Sequence, residues 1–441
     1  MRWQARVAAL GAPRRLYYGW VLIATLGLTT IISYGATYYL FSVLVVPVSR
    51  ELGASRTSLS GAYALGTVLA GVIGVPVGRL VDRRGARLLM ATGSVLIGAM
   101  LLALARVQTV WQFYAVWAPG FAVGTALTFY PVSFTVVANW FERRRGAALA
   151  ALTLLGGLAS PVFIPLAGIL IQRFGWRNAL LLLALAQFGV ALPLHSLVVR
   201  RHPEDLGLRP DGEAAPLSMT VRQSSGVPVA TRVIAAAHLT PPHGETLRVA
   251  LRGRAFWLLT AAYALATLAA AIPLVHGVAY LIGRGYDAVL AAGVLGAVGL
   301  ASLPGRVLLN LLGDRVGPQP LLGVCLGAEA AGLLLLIHGV SLGWLAAYVI
   351  VYGAAFGALL PLRAAVMAEH FGRRAYGAIT AAQGVPVALC AGLGPVAAGW
   401  LYDRLGSYVP AFWLSIGAFL LAGLGVVLAP RPRLAPAAPA S

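Results

Sequence analysis

The chain has 441 residues, 59% of them hydrophobic and only 10% charged, with 33 basic against 13 acidic side chains. A soluble domain carries roughly 25% charged residues, so a chain this apolar must face lipid and falls outside the ordinary soluble classes. The net charge of +20 lies in short clusters between apolar runs, a membrane-topology pattern that argues against nucleic acid as a partner.

Segment 1–16 carries Arg2, Arg6, Arg14 and Arg15. No short apolar stretch with a small-residue cleavage site follows, so the first apolar run reads as an uncleaved span. A span needs about 20 apolar residues. Twelve runs qualify: 17–46, 57–80, 87–106, 109–138, 146–172, 177–199, 255–282, 288–312, 319–339, 342–369, 375–401 and 409–429. The fold class is therefore all-α and integral to a membrane. Its expected parts are an N-terminal segment 1–16, a six-helix bundle 17–199, a linker 200–253, a second six-helix bundle 254–429 and a tail 430–441. All 33 basic residues are Arg; 24 lie at or beside one set of alternating loops and termini, 7 at or beside the other, and 2, Arg306 and Arg363, deep inside spans. The Arg-rich side is expected in the cytoplasm, with both termini. The linker is polar and holds six prolines, and its end, ETLRVALRGRAFW, reads as a short amphipathic helix on the membrane surface. Cys325 and Cys390 both sit in apolar runs, so no disulfide framework, zinc site or other cofactor is expected.

The two halves echo each other. VDRRG (81–85) matches GDRVG (313–317), WFERRRGAAL (140–149) resembles HFGRRAYGAI (370–379), and PLAGILIQRFGW (165–176) resembles PVAAGWLYDRLGS (395–407). A duplicated unit of six helices places a substrate near the midplane between halves that rock about it.

Residues 74–89, GVPVGRLVDRRGARLL, concentrate charge in one tight turn at the end of the second span. Gly74 and Gly78 are four apart on one helix face and invite close approach of another helix. Gly85 permits the turn. Asp82 is expected to point at the positive N-terminus of the eleventh span, near Ala375, as a latch. This stretch resembles the signature of the major facilitator superfamily, G-x-x-x-G-R-x-x-D-R-x-G-x-R, at Gly74, Gly78, Arg79, Asp82, Arg83, Gly85 and Arg87. The resemblance implies the twelve-helix fold of that superfamily and a gate at this cluster. The plainer reading, that the arginines only fix topology, applies best to Arg84 and Arg87. In the superfamily the Asp often pairs with an Arg of the fourth helix. The span 109–138 has none, which leaves Arg143 or Arg144 as replacements. In the second copy Asp314 and Arg315 repeat the motif, while Asn310 stands at the place of Gly78 and Arg306 at that of Gly74.

Ionisable groups inside a span are functional candidates by default. Arg306 leads, because a guanidinium binds a carboxylate with two parallel hydrogen bonds and keeps its proton when buried; the alternative is a side chain snorkelling to headgroups. Arg363 lies at similar depth, with a structural pair to Glu369 or Asp314 as its alternative. Glu329 reads as structural. His276 is a candidate proton site or a packing histidine. Tyr34, Tyr38, Tyr130, Tyr263, Tyr280, Asn310 and Gln383 are candidates to complete a cavity.

YYGWVLIA (17–24), RELGASRTSLSGAYAL (50–65), ANWFERRRGAALA (138–150), PEDLGLRPDG (203–212), PLRAAVMAEHFGRRAYG (361–377) and GPVAAGWLYDRLGSY (394–408) together resemble the bacterial branch related to monocarboxylate porters and oxalate/formate antiporters. That family moves small organic anions, often with a proton. The resemblance thus implies an organic anion as substrate, a proton as a candidate partner, a bacterial inner membrane and a monomer. An Arg of the eighth helix commonly binds the carboxylate, and Arg306 matches it. The animal carriers share that work with an Asp where Ser302 stands here, and with a first-helix Lys where Tyr38 stands. Oxalate exchangers add a Lys in the eleventh helix, where this chain has Gln383. One fixed cation suits one carboxylate, unless Arg363 also lines the cavity. The leading expectation is a secondary transporter of a small monocarboxylate working by alternating access. The alternatives are proton-driven efflux of a larger apolar compound and a membrane sensor that does not transport. No HExxH, GxSxG triad or paired intramembrane carboxylates suggest an enzyme.

Overall fold

The computed structural model describes residues 17–212, 244–339, 341–372 and 374–430, with Val75, Asp82 and Asp314 described in their backbone alone. The apolar runs fold as helices because a helix satisfies its own backbone in hydrocarbon. In the first half they are Tyr18–Tyr34, running through a π turn at Gly35–Tyr39 into Leu40–Leu52; Arg56–Arg84; Ala86–Leu104; Val110–Thr128 with Tyr130–Trp140; and Arg145–Gly157 followed by Ala159–Ala186 and two π turns ending at Val198. The second half holds Arg254–Gly283, Ala288–Val316, Pro318–His338, Leu342–Phe371, Tyr376–Leu405 and Val409–Leu428. By length and composition 11 described helices suffice to cross a membrane. The fifth and sixth spans count as one because they join end to end at Gly175, whose φ of 76° and ψ of 158° suit glycine alone. Leu185, Leu300, Val324, Ile350 and Leu428 are each more than half exposed, as lipid-facing side chains are.

Three expectations need correction. The first span extends past residue 46 to Leu52, because the π turn absorbs the irregularity without ending the helix. The fourth span is broken at Phe129, whose backbone is extended (φ −82°, ψ −179°) just before Pro131 opens the next piece. The charged cluster Arg79–Arg84 is the last part of the second helix rather than a turn; the chain turns only at Gly85, where φ is 79°. Gly317, its counterpart in the repeat, has φ 89°.

The linker is not wholly a spacer. Residues 200–212 fold against the first half. The Tyr17 hydroxyl donates to the Arg209 carbonyl, Trp140 Nε1 to the Arg200 carbonyl, and the Asp211 carboxylate accepts the amide N–H groups of Glu142 (2.9 Å), Arg143 (2.7 Å) and Arg144 (3.2 Å). Asp211 thereby holds the turn that leads into the helix beginning at Arg145. Burial works to raise its carboxyl, and the amides of Arg143, Glu142 and Arg144 outweigh that, holding it below the ordinary carboxylate range. At the linker's other end, Glu245 donates its N–H to the Phe371 carbonyl. The expected surface helix is one turn, Leu247–Ala250, capped by Thr246.

Candidate functional site

The two halves meet on the face opposite the linker, here termed the far face. Ser55 opens the second span, its hydroxyl accepting the N–H of Ser58. Asp403, at the end of the eleventh span, accepts the N–H of Arg56 (2.9 Å) and of Thr57 (2.8 Å) and the Thr57 hydroxyl. A carboxylate thus sits on the positive end of a helix from the other half. The Arg56 guanidinium donates to the Val45 carbonyl. The repeat-related contact lies across the same face. Gln172 of the fifth span donates to Asp287 (3.1 Å), which caps the eighth span through the N–H of Val289.

Beneath this seam His276 joins the halves. Its Nε2 lies 3.0 Å from the Pro395 carbonyl and 3.1 Å from the Ser60 hydroxyl, and its Nδ1 lies 3.2 Å from the Tyr408 hydroxyl. A carbonyl only accepts, so Nε2 carries the hydrogen and Nδ1 accepts from Tyr408. His276 therefore belongs to the far-face seal and not to the cavity proposed for it. Tyr280 is also placed elsewhere: its ring packs edge-on against Phe412 and its hydroxyl reaches the Leu336 carbonyl. Both depart from expectation because residues near the end of the seventh span lie above the cavity.

Toward the linker face the halves part. A Cβ added at Gly74, Gly78, Gly377 or Gly384 would meet nothing within 4 Å, whereas one at Gly392 would meet Ala64 and one at Gly399 the backbone of Arg56. The close approach expected at Gly74 and Gly78 is thus not made in this conformation. The side chains of Asp82 and Asp314 lie outside the described residues. Arg79, Arg83 and Arg315 are exposed, and Arg87 donates to the Ser196 carbonyl (2.6 Å), tying the third span to the sixth.

Between seal and opening lies a cavity of about 220 Å³ lined by Tyr38, Tyr263, Thr267, Phe356, Arg306 and Arg363 with a wall of Ala and Leu. Arg306 donates to the Thr153 carbonyl (2.9 Å) across the halves, and its buried Nε has no partner. Arg363 lies over the Tyr263 ring, 4.4 Å from its centre. It makes no hydrogen bond or ion pair with a described residue, so the alternative reading as a structural pair with Glu369 is not met, and the Asp314 side chain lies outside the described residues. No Asp or Glu is among the described residues that line this cavity.

The eighth and tenth spans hold the two arginines together by close packing. A Cβ at Gly353 would lie 2.7 Å from the Val298 carbonyl, one at Gly357 would strike the Ser302 carbonyl, and one at Gly305 would strike Ala354. GAAFG (353–357) is a small-xxx-small seam, a signal in the sequence that the list of polar candidates passed over.

The other candidates scatter. Tyr34 stacks on Phe129 (3.5 Å between centres) and lines a separate cavity of about 430 Å³ with Gly74 and Gly78. Tyr130 packs on Tyr34 and beside Gly156. Asn310 donates to the Arg306 carbonyl and borders a cavity on the linker side with Glu369. Gln383 and Glu329 are fully buried, and neither the amide nor the carboxyl has a hydrogen-bond partner among the described residues.

Two helical halves, sealed at one face around a central cavity and parted at the other, are the architecture of a multi-pass membrane transporter. The family pattern of the Major Facilitator Superfamily matches residues 26–328 and 300–441, and the chain belongs to that superfamily. It is similar to Monocarboxylate transporter 13 of Bos taurus, 29% identical over 423 residues that cover 93% of this chain and 89% of the relative. An MFS-type efflux pump of Mycolicibacterium smegmatis is 31% identical over 205 residues, covering 46% of this chain and 45% of the pump. Among solved structures, a bacterial homolog of the human lysosomal transporter Spinster, in an inward-facing and occupied conformation, superposes with a TM-score of 0.69 at 16% identity, covering 95% of this chain and 97% of that one.

Proposed function

We propose that the protein carries a small organic anion, a monocarboxylate in the first instance, across a bacterial inner membrane, with the linker face in the cytoplasm and a proton as the candidate co-substrate. The observation that carries this reading is Arg306. It is a permanent cation in a midplane cavity, on a span from one half and hydrogen-bonded to the other, with one nitrogen buried and unpartnered. A carboxylate entering the cavity supplies the missing acceptor and offsets the cost of holding the charge away from water. Binding on both halves at once makes the anion a tie between them, so its arrival and departure bias which face is open. Similarity to the monocarboxylate transporters supports the same substrate class.

The test is uptake of labelled lactate, pyruvate and longer monocarboxylates into proteoliposomes. At least one is expected to enter faster than into protein-free vesicles, and Arg306→Ala is expected to abolish the difference while the variant still purifies as a monodisperse helical protein. Undiminished transport by that variant sinks the role given to Arg306.

A further inference from the structure

Arg306 and Arg363 both line the central cavity. Their environments share one property: among the described residues no carboxylate pairs with either guanidinium. Arg306 has a single hydrogen bond, to a carbonyl. Glu369, which borders the adjoining linker-side cavity with Arg306, makes no ion pair with it. Arg363 lies over the face of Tyr263, with the Tyr376 hydroxyl also nearby, and pairs with no described carboxylate. A cation–π contact of that kind is worth about 0.5–2 kcal/mol, less than the several kcal/mol that taking an ion out of water costs. The rest of the wall is Ala, Leu and Phe356 with neutral hydroxyls at Tyr38, Tyr263 and Thr267. The cavity therefore carries two positive charges with no negative charge among its described lining residues.

We propose that the cavity takes a dianion, a dicarboxylate with an apolar carbon spacer, with one carboxylate on Arg306 and the other on Arg363. This deepens the reading of the protein as an organic-anion carrier and rests on it. A monocarboxylate answers one guanidinium and leaves the second bare; a dicarboxylate answers both and brings the loaded cavity to neutrality. The free space of about 220 Å³ exceeds the ~30 Å³ share of one water several-fold, so a spacer fits between the carboxylates. Its methylenes meet the Ala and Leu wall, where extra charge or hydroxyl groups find few partners. The pairing also divides labour. Arg306 reaches across to the other half and links loading to rocking, whereas Arg363 stays within its own half, packed on Tyr263, and sets which anion is accepted.

The experiment compares matched pairs, butyrate with succinate and valerate with glutarate, by the melting temperature of the purified full-length protein at pH 7, since a ligand that binds the folded state raises it in proportion to the logarithm of its saturation. In the wild type each dicarboxylate is expected to bind at least tenfold more tightly than its monocarboxylate partner. Arg363→Gln should remove that preference, weakening the dicarboxylates at least tenfold and leaving the monocarboxylates within about threefold. Arg363→Lys, which keeps the charge, should retain the preference, and covers the case in which the Gln variant fails to fold. Equal binding of the two members of each pair to the wild type, or an equal loss of both in Arg363→Gln, overturns the dianion site and leaves the monocarboxylate reading standing. Silence toward all four anions overturns both.

Discussion

The carboxylate of Asp403 accepts the backbone N–H groups of Arg56 and Thr57 at the start of the second span. The sequence places an acid-to-helix latch at Asp82, on the face of the linker. The side chain of Asp82 lies outside the described residues, and the contact of this kind that the structure describes is at the eleventh span's other end, on the far face. The same physics applies at both ends, since the second and eleventh spans cross and each offers a helix N-terminus near the partner's charged end.

Asp403→Ala should loosen the far-face seal. Losing a charged cap costs about 1–2 kcal/mol, a factor of roughly 5–30 in the balance between conformations. The readout is labelling of Ala64→Cys, which packs against Gly392 in that seam, by a membrane-impermeant maleimide, with Cys325 and Cys390 replaced. A labelling rate unchanged by Asp403→Ala would show that the contact does not hold the gate.

Gly78 tests the opposite face. A Cβ there meets nothing within 4 Å, and leucine is a much better helix former than glycine, so Gly78→Leu should keep or raise stability, by up to about 1 kcal/mol. Transport needs the linker face to close at some point in the cycle, and a leucine then stands between helices that must approach. Exchange in proteoliposomes should fall at least tenfold with the melting temperature no lower than that of the wild type. Wild-type exchange would show that the closing helices never come near Gly78.

Much of the fold was legible because hydropathy and the three echoes act along the chain. The spans, the duplication and Arg306 all follow from local patterns. What was not legible depends on which residues face each other across the halves. Asp403 looks like one more loop acid until it is seen over the amides of Arg56 and Thr57. His276 looks like an intramembrane proton site, yet its three polar neighbours, Ser60, Pro395 and Tyr408, each lie more than 100 residues from it along the chain. Arg363 gains its meaning only from the cavity it shares with Arg306, on spans whose backbones touch at Gly305, Gly353 and Gly357.

Asp211 gives a pH-dependent prediction. Its folded value lies below its ordinary one, so its contribution is complete above the unfolded value, about 3.9, and is lost as pH falls through the folded value. Hydrogen exchange at the amides of Glu142, Arg143 and Arg144, corrected for intrinsic rate, should be flat between pH 5 and 8. Asp211→Ala should remove the protection throughout that range, whereas Asp211→Asn, which keeps an acceptor and tolerates the residue's φ of 59°, should remove only part. Equal exchange in all three proteins would show that the linker contact contributes no order to that helix start.

The seam between the eighth and tenth spans gives a pair of substitutions with opposite signs. Gly357→Ala puts a methyl onto the Ser302 carbonyl. Backbone cannot turn aside as a side chain does, so the helices must part, at a cost of about 1–3 kcal/mol. Parting them also moves Arg363 relative to Arg306, so anion-induced stabilisation should fall together with the melting temperature. Gly384→Ala, in the eleventh span, meets nothing within 4 Å. It replaces a weak helix former by the strongest and should raise stability by up to about 1 kcal/mol, with anion binding unchanged. Thermal unfolding of both variants, with and without the anion that stabilises the wild type, separates packing from propensity. If Gly357→Ala melts and binds as the wild type does, the close approach of these helices is not what sets the two arginines in one cavity.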